Sequence, residues 1–442
     1  MNAPSQAHWH LSMLLVALTA LMPITIMSSQ TIPSGLFYGV ALVSLILLAL
    51  RRFAGAGPIS RHHRGVLICM AAPTLAVLWS ALAHGRLVGL DLEVALRFFL
   101  GFWVLLLAYR SIGNAQARWG LWGFLAATAV AATYILVLAP VEDTGRPQTS
   151  AIYNAVGYGS LTALLMTLCV AALRLPLWRI PALPGRAQPA GAQPVGVRAL
   201  LVLLALAALV AVIYTQTRTA WMAIPIFILI LAALFIPPQK PTRLLAAAIL
   251  GVVAVGALLA FNSTVQDRVA EAYEEATTCT GDQRTANTSI CIRLQLWRSS
   301  LDMLAKRPWA GTGSKRHFND YLVAESLPLG LVSPQVAENW GEPHNDLLLY
   351  LTSFGWPGGL ALLLIYLGPA WVFARRLLGA GPPATRAAAA MGLAVCLGFL
   401  IFGLTETLFR SMRTVSFYTL CVAYFMALSD NSVTDAGRIS RS

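Results

Sequence analysis

The chain has 442 residues, of which 57% are apolar and only 11% charged, with a mean hydropathy of +0.69. So little polar surface excludes a soluble globule and leaves an all-α polytopic membrane protein. The formal charge of +13 is spread between apolar runs and not gathered with exposed aromatics, which points to membrane lipid headgroups and phosphorylated substrates and away from nucleic acid.

A membrane helix needs about 20 apolar residues. On that ruler the chain divides into about 12 transmembrane helices, near residues 11–28, 35–50, 65–83, 94–109, 119–140, 155–173, 199–214, 220–237, 244–261, 349–374, 387–405 and 414–428. Residues 1–10 lack the basic stretch of a cleavable signal, so the first run reads as a retained helix. The Pro/Ala/Gly stretch 181–194 reads as a linker without chemistry. With a cytoplasmic N-terminus, roughly 17 Lys and Arg fall in the inner loops and about 6 in the short outer ones, the excess that the positive-inside rule predicts. Both termini then face the cytoplasm. The six outer arginines are Arg86, Arg97, Arg146, Arg218, Arg410 and Arg413. Snorkelling explains any one of them; six converging on one face are better explained by a bound polyanion.

Between the ninth and tenth spans lies the only large polar segment. It divides the chain into residues 1–261, a loop domain at 262–345 on the non-cytoplasmic side, and residues 346–442. Residues 266–276 form a charged, helical piece. Further on, Ile290, Leu294, Trp297, Leu301 and Leu304 recur at helical spacing. They predict an amphipathic helix lying with that stripe against the membrane domain, Arg293 and Arg298 falling on either side of it. The helix ends by Pro308, and Gly311-Thr312-Gly313 makes a sharp turn after it. Cys279 and Cys291 are the only cysteines outside the spans and pair if the compartment is oxidising. Cys69, Cys169, Cys396 and Cys421 behave as small hydrophobes.

Three elements carry chemistry, all on the outer side: the hairpin Thr215-Gln216-Thr217-Arg218-Thr219-Ala220-Trp221, the surface helix with Arg293, Trp297 and Arg298, and Glu342-Pro343-His344-Asn345-Asp346 where the loop re-enters the apolar region. Guanidinium groups bind phosphate bidentately, and several together hold a diphosphate whose leaving oxygens gain charge during reaction. A neutral imidazole, with a reference pKa of about 6.5, suits proton abstraction from a hydroxyl. An ionisable group at a membrane edge is a functional-site hypothesis by default, although Asn345 and Asp346 also read simply as helix caps. Base plus diphosphate clamp describes a transferase for an activated, phosphate-linked group.

Asp91 and Glu93 offer a competing D-x-E metal pair, with helix-dipole stabilisation as the plainer reading. No zinc-protease, C-x-x-C or Walker motif occurs. His317, His84, Glu338 and Glu342 are alternative bases, but none begins a span as His344 does. A transporter is disfavoured because the chain lacks internal duplication and a matched pair of broken spans.

These residues resemble the bacterial O-antigen ligases, within the group that includes O-antigen polymerases and some protein-glycosylating oligosaccharyltransferases. The resemblance rests on the hairpin at 215–221, on Arg293-(x3)-Trp297 followed by Pro308 and Gly311-x-Gly313, and on His344-Asn345, nine residues, Gly355-x-x-Gly358. It implies a glycosyltransferase of type-C-like architecture in the bacterial inner membrane, without cofactor or metal. Its substrates would be undecaprenyl diphosphate-linked O antigen and the lipid A–core oligosaccharide in the periplasm. Carried onto this sequence, His344 becomes the base and Arg218 and Arg293 the diphosphate binders. Arg86, Arg146, Arg298, Arg410 and Asn345 are further substrate-binding candidates.

Overall fold

The computed structural model describes residues 6–50, 60–112, 114–141, 145–177, 193–236, 241–261, 263–279 and 288–439. Among these the chain is helical, with no β-structure beyond an isolated bridge between Val141 and Pro147. Ten helices are long and apolar enough to cross a membrane. The remaining two of the twelve expected spans, 244–261 and 414–428, fall on the helices Pro241–Ala260 and Met412–Ile439, which are not among those ten. Most of the 181–194 linker lies outside the described residues.

The centre of the bundle is the 33-residue helix Asp346–Leu378, packed between Arg61–His84 and Pro383–Phe402. Aromatic rings fill the space where it meets the last helices: Tyr366 lies on Phe409 at 5.2 Å, and Phe409 meets Phe399 at 5.8 Å and Tyr418 at 5.1 Å between centroids. Offset and edge contacts of this kind add to simple burial. They fix Phe409, and with it the turn that carries residues 403–410.

The central helix is broken near its start. Gly355 has φ 70° and ψ −161°, a conformation open to glycine and strained for other residues. A break within an apolar bundle must find new partners for its backbone groups. The turn after the surface helix provides them: the amides of Thr312 and Gly313 donate to the carbonyls of Thr352 and Ser353 at 2.8 and 3.0 Å, and the Trp356 amide donates to Pro308 O at 2.8 Å. The two chains touch so closely that a Cβ on Gly355 would sit 2.5 Å from Pro308 O, and one on Gly311 2.4 Å from the Ser353 carbonyl carbon. Two motifs far apart in sequence are thus the halves of one joint. The Arg61–His84 helix supports it from behind, Trp79 Nε1 donating to Trp309 O at 2.9 Å and Ser80 Oγ to Ala310 O at 2.6 Å.

The loop segment has a small core of its own, built from Leu296, Met303, Phe318, Leu322, Val332 and Val336. Its helix Ser289–Lys306 is rotated from the orientation the apolar stripe predicts. The buried face is Cys291, Gln295, Leu296, Ser299, Ser300, Met303 and Leu304, whereas Leu301 is exposed. The polar members of that face are satisfied internally. Ser299 and Ser300 donate to the carbonyls of Gln295 and Leu296, and Gln295 Oε1 accepts from the Ser333 amide at 2.8 Å. Small hydroxyl side chains bonded to their own helix behave as compact packing residues, so the helix buries a second face, against the loop core, that counting apolar residues alone does not select. The stripe of Ile290, Leu294 and Trp297 is left to line a cavity.

Candidate active site

The hairpin forms because its threonines turn inward. Thr215, Thr217 and Thr219 are buried; Thr215 Oγ1 donates to Val212 O, Thr217 Oγ1 to Ala155 O, and Thr219 Oγ1 meets Thr405 Oγ1 at 2.5 Å. Between them Gln216 takes φ 53°, and the next helix, Arg218–Phe235, begins with Arg218 itself. Its cap residue, Thr217, makes no side-chain bond to the first-turn amides. A guanidinium at a helix N-terminus opposes the helix dipole, and open first-turn amides bind anions. The arrangement is costly when empty and favourable around a phosphate.

Arg218 faces a cavity of about 360 Å³. Arg146 and Arg293 line the same cavity, with Ile290, Leu294 and Trp297 as its apolar wall. Arg146 reaches it by donating from Nε to Thr215 O at 3.1 Å. Burial pulls the Arg293 guanidinium below its usual range, nearby Arg218 acts in the same direction, and Glu406 and Glu275 oppose them; an arginine remains charged throughout. The opposite wall is the helix Ser263–Thr278, whose Glu271 Oε2 accepts from Arg218 Nη2 at 3.1 Å. This wall is tied to the surface helix by the Cys279–Cys291 disulfide and by the Ile290 amide donating to Glu275 at 3.0 Å.

His344 stands beside this cavity and does not line it. The residue before it, Pro343, accepts from Trp297 Nε1 at 2.9 Å, and Trp297 is a cavity residue. The residues after it are locked to the 403–410 turn. The Asp346 amide donates to Gly403 O at 2.7 Å, and its carboxylate accepts from the Phe409 amide and from Tyr366 Oη, both at 3.0 Å. Held from both sides, His344 adopts φ 48°. It and Gln216 are the only non-glycine residues with positive φ among the described residues. Strained backbone of this kind collects at functional sites when the surroundings over-determine it.

The imidazole is 14% exposed and edge-on to Trp340 at 4.9 Å. Its Nδ1 lies 3.5 Å from Glu406 Oε1 and 3.9 Å from Glu342 Oε1. Among the described residues neither ring nitrogen has a hydrogen-bond partner. Glu342, His344 and Glu406 bring one donor atom each to within 4.8 Å of one another, the one group among the described residues able to hold a metal ion. Arg410 Nη1 binds Glu342 at 2.6 Å, so a cation there would compete with a guanidinium already in place.

The other sequence candidates are distributed as follows. Arg410 is held by Glu342 next to the imidazole. Asn345 caps the central helix, accepting from the Leu348 amide and donating from Nδ2 to Leu404 O. Arg298 lies away from Arg293, over a separate depression formed with Gln295 and residues 330–334, because the rotated helix turns it outward. Arg86 is exposed and does not line the cavity. Arg97 and Arg413 are buried fold residues. The first binds Ser34, Ser416 and Glu93; the second donates to Ile152 O and lies over Tyr153. Asp91 and Glu93 are separated by the helix they share: Asp91 accepts from Ser314 Oγ and neighbours Lys315, while Glu93 is engaged by Arg97 and Tyr38. Of the alternative bases, His317 and His84 each place Nδ1 against a nearby carbonyl oxygen, and Glu338 is exposed. Glu406 was invisible in the sequence, where Thr405-Glu406-Thr407 reads only as the end of a span.

Comparison with known families bears on the segment that carries most of this site. Residues 201–363 match the family model described as O-antigen ligase. Over these residues the chain is similar to an O-antigen ligase domain. The matched segment contains the hairpin, the surface helix, the Gly311/Gly355 joint and His344. Arg146, Glu406 and Arg410 complete the surroundings of the site from outside the matched segment. No curated protein matches the chain significantly.

Proposed function

We propose that the protein transfers an O-antigen glycan from undecaprenyl diphosphate to a sugar hydroxyl of lipid A–core, at the periplasmic face of the bacterial inner membrane, completing lipopolysaccharide. The observation that carries this reading is the gathering of Arg146, Arg218 and Arg293 around one cavity beside His344. In the reaction the acceptor oxygen attacks the anomeric carbon of the donor, and the bond from that carbon to the diphosphate oxygen breaks. The electron pair leaves with undecaprenyl diphosphate, and the hydroxyl proton passes to His344. Attack opposite the leaving group inverts the anomeric centre.

The arginines bind the diphosphate bidentately and stabilise the charge that grows on its oxygens. Three guanidinium groups and a helix N-terminus supply the electrostatic role that a divalent cation would otherwise fill. Transfer is therefore expected to persist in excess EDTA; abolition by chelator with rescue by magnesium or manganese would refute the metal-free scheme. The wider reading is tested in a deletion strain. Loss of the capped lipopolysaccharide ladder, with undecaprenyl-linked polymer retained, is the expected outcome. Capping by single repeats would instead assign a polymerase, and an unchanged ladder would remove both.

A further inference from the structure

The carboxylate beside His344 has an environment that the transfer reaction explains, and this inference rests on His344 being the base. Glu406 is 5% exposed. Among the described residues its one ion pair is with His344, Oε1 to Nδ1 at 3.5 Å. Burying a carboxylate without a full partner is costly. The other acid near the ring differs: Glu342 is more exposed and already bound by Arg410 at 2.6 Å. The charged groups around the imidazole are thus Glu342 with its arginine on one side and Glu406 on the other, with Arg293 near enough to feel Glu406.

We propose that Glu406 is a positioning residue for His344: it holds the proton on Nδ1, leaves the Nε2 lone pair free for the acceptor hydroxyl, and offsets the charge of the imidazolium formed when that proton is taken. The geometry fits the role, because both carboxylates face Nδ1 and the distance to Glu406 needs to close by only a few tenths of an ångström. Catalytic hydrogen bonds are often long before substrate binds. The energetic logic is that of differential binding. In the resting site Glu406 is under-compensated; once the ring accepts the proton it gains its counter-charge, so the contact strengthens where the reaction needs it. A base oriented by a carboxylate through its second nitrogen follows the logic of the serine-protease triad.

The test uses the full-length protein in proteoliposomes, with a synthetic undecaprenyl diphosphate-linked oligosaccharide as donor and purified rough lipopolysaccharide as acceptor. His344→Gln is measured first. If it retains parental turnover, the base assignment itself fails. With His344→Gln inactive, Glu406→Gln is expected to lower kcat by about 10²-fold or more with the donor KM nearly unchanged, and Glu406→Asp to recover part of the loss. In the His344→Gln background, Glu406→Gln should cost almost nothing further, because residues that act as a unit are non-additive. The inference is overturned while the base assignment stands if Glu406→Gln keeps parental kcat, if it raises KM alone, or if its loss adds in full to that of His344→Gln. It is equally overturned if the parent loses activity in EDTA and regains it with magnesium, since Glu406 would then serve a cation.

Discussion

Arg218 lines the cavity from the first position of its helix. In the proposed scheme its place at the start of a helix whose cap residue makes no side-chain bond lets the side chain and the first-turn amides serve one anion. Lysine in its place would keep the charge and lose the fork. Arg218→Lys is therefore expected to insert and fold normally yet transfer glycan at least about tenfold more slowly, with a raised donor KM; parental kinetics would reduce Arg218 to a topological residue. His344→Gln keeps a hydrogen bond but cannot take a proton, and about 10²–10⁴-fold should be lost, read as initial rate in the reconstituted assay. Both residues were legible because each sits in a short motif whose spacing survives in one dimension. Glu406 was not, because its meaning lies in a turn folded back onto the Asp346 helix by backbone bonds from Gly403 and Phe409. No local pattern encodes that return.

At the scale of elements, the joint between the 307–313 turn and the broken helix ties the surface segment to the span that follows His344. Gly355→Ala would force a side chain into left-handed backbone and into Pro308 O at 2.5 Å. Backbone strain alone costs about 1–3 kcal/mol. A lowered thermal midpoint in detergent and a drop in turnover are expected together, whereas a parental midpoint would mean the joint is not under the constraint described. The apolar periodicity located the spans and the existence of the surface helix, since both signals are long. It did not reveal the helix's second buried face, because Ser299, Ser300 and Gln295 pack as core once their polar groups are bonded within the protein. Arg293 and Arg298, on either side of the stripe, accordingly line different surfaces.

For the whole molecule, the collected positive charge has a consequence for folding equilibria. Arg146, Arg218 and Arg293 converge only in the native chain, with Glu271 holding a place on Arg218 that a stronger anion could take. Any diphosphate that binds the native state and not the unfolded one raises stability by RT ln(1 + [L]/Kd), about 2.7 kcal/mol at a hundredfold excess over Kd. Inorganic pyrophosphate alone, without lipid or sugar, should therefore raise the thermal midpoint of the purified protein more than equimolar sulfate does. Arg218→Lys should flatten that response, and equal shifts from the two anions would speak against a diphosphate site. Under the proposed function, the same linkage makes donor supply a determinant of the protein's lifetime: a cell depleted of lipid-linked diphosphate would hold the protein in its least stable form, the first to be lost to proteolysis.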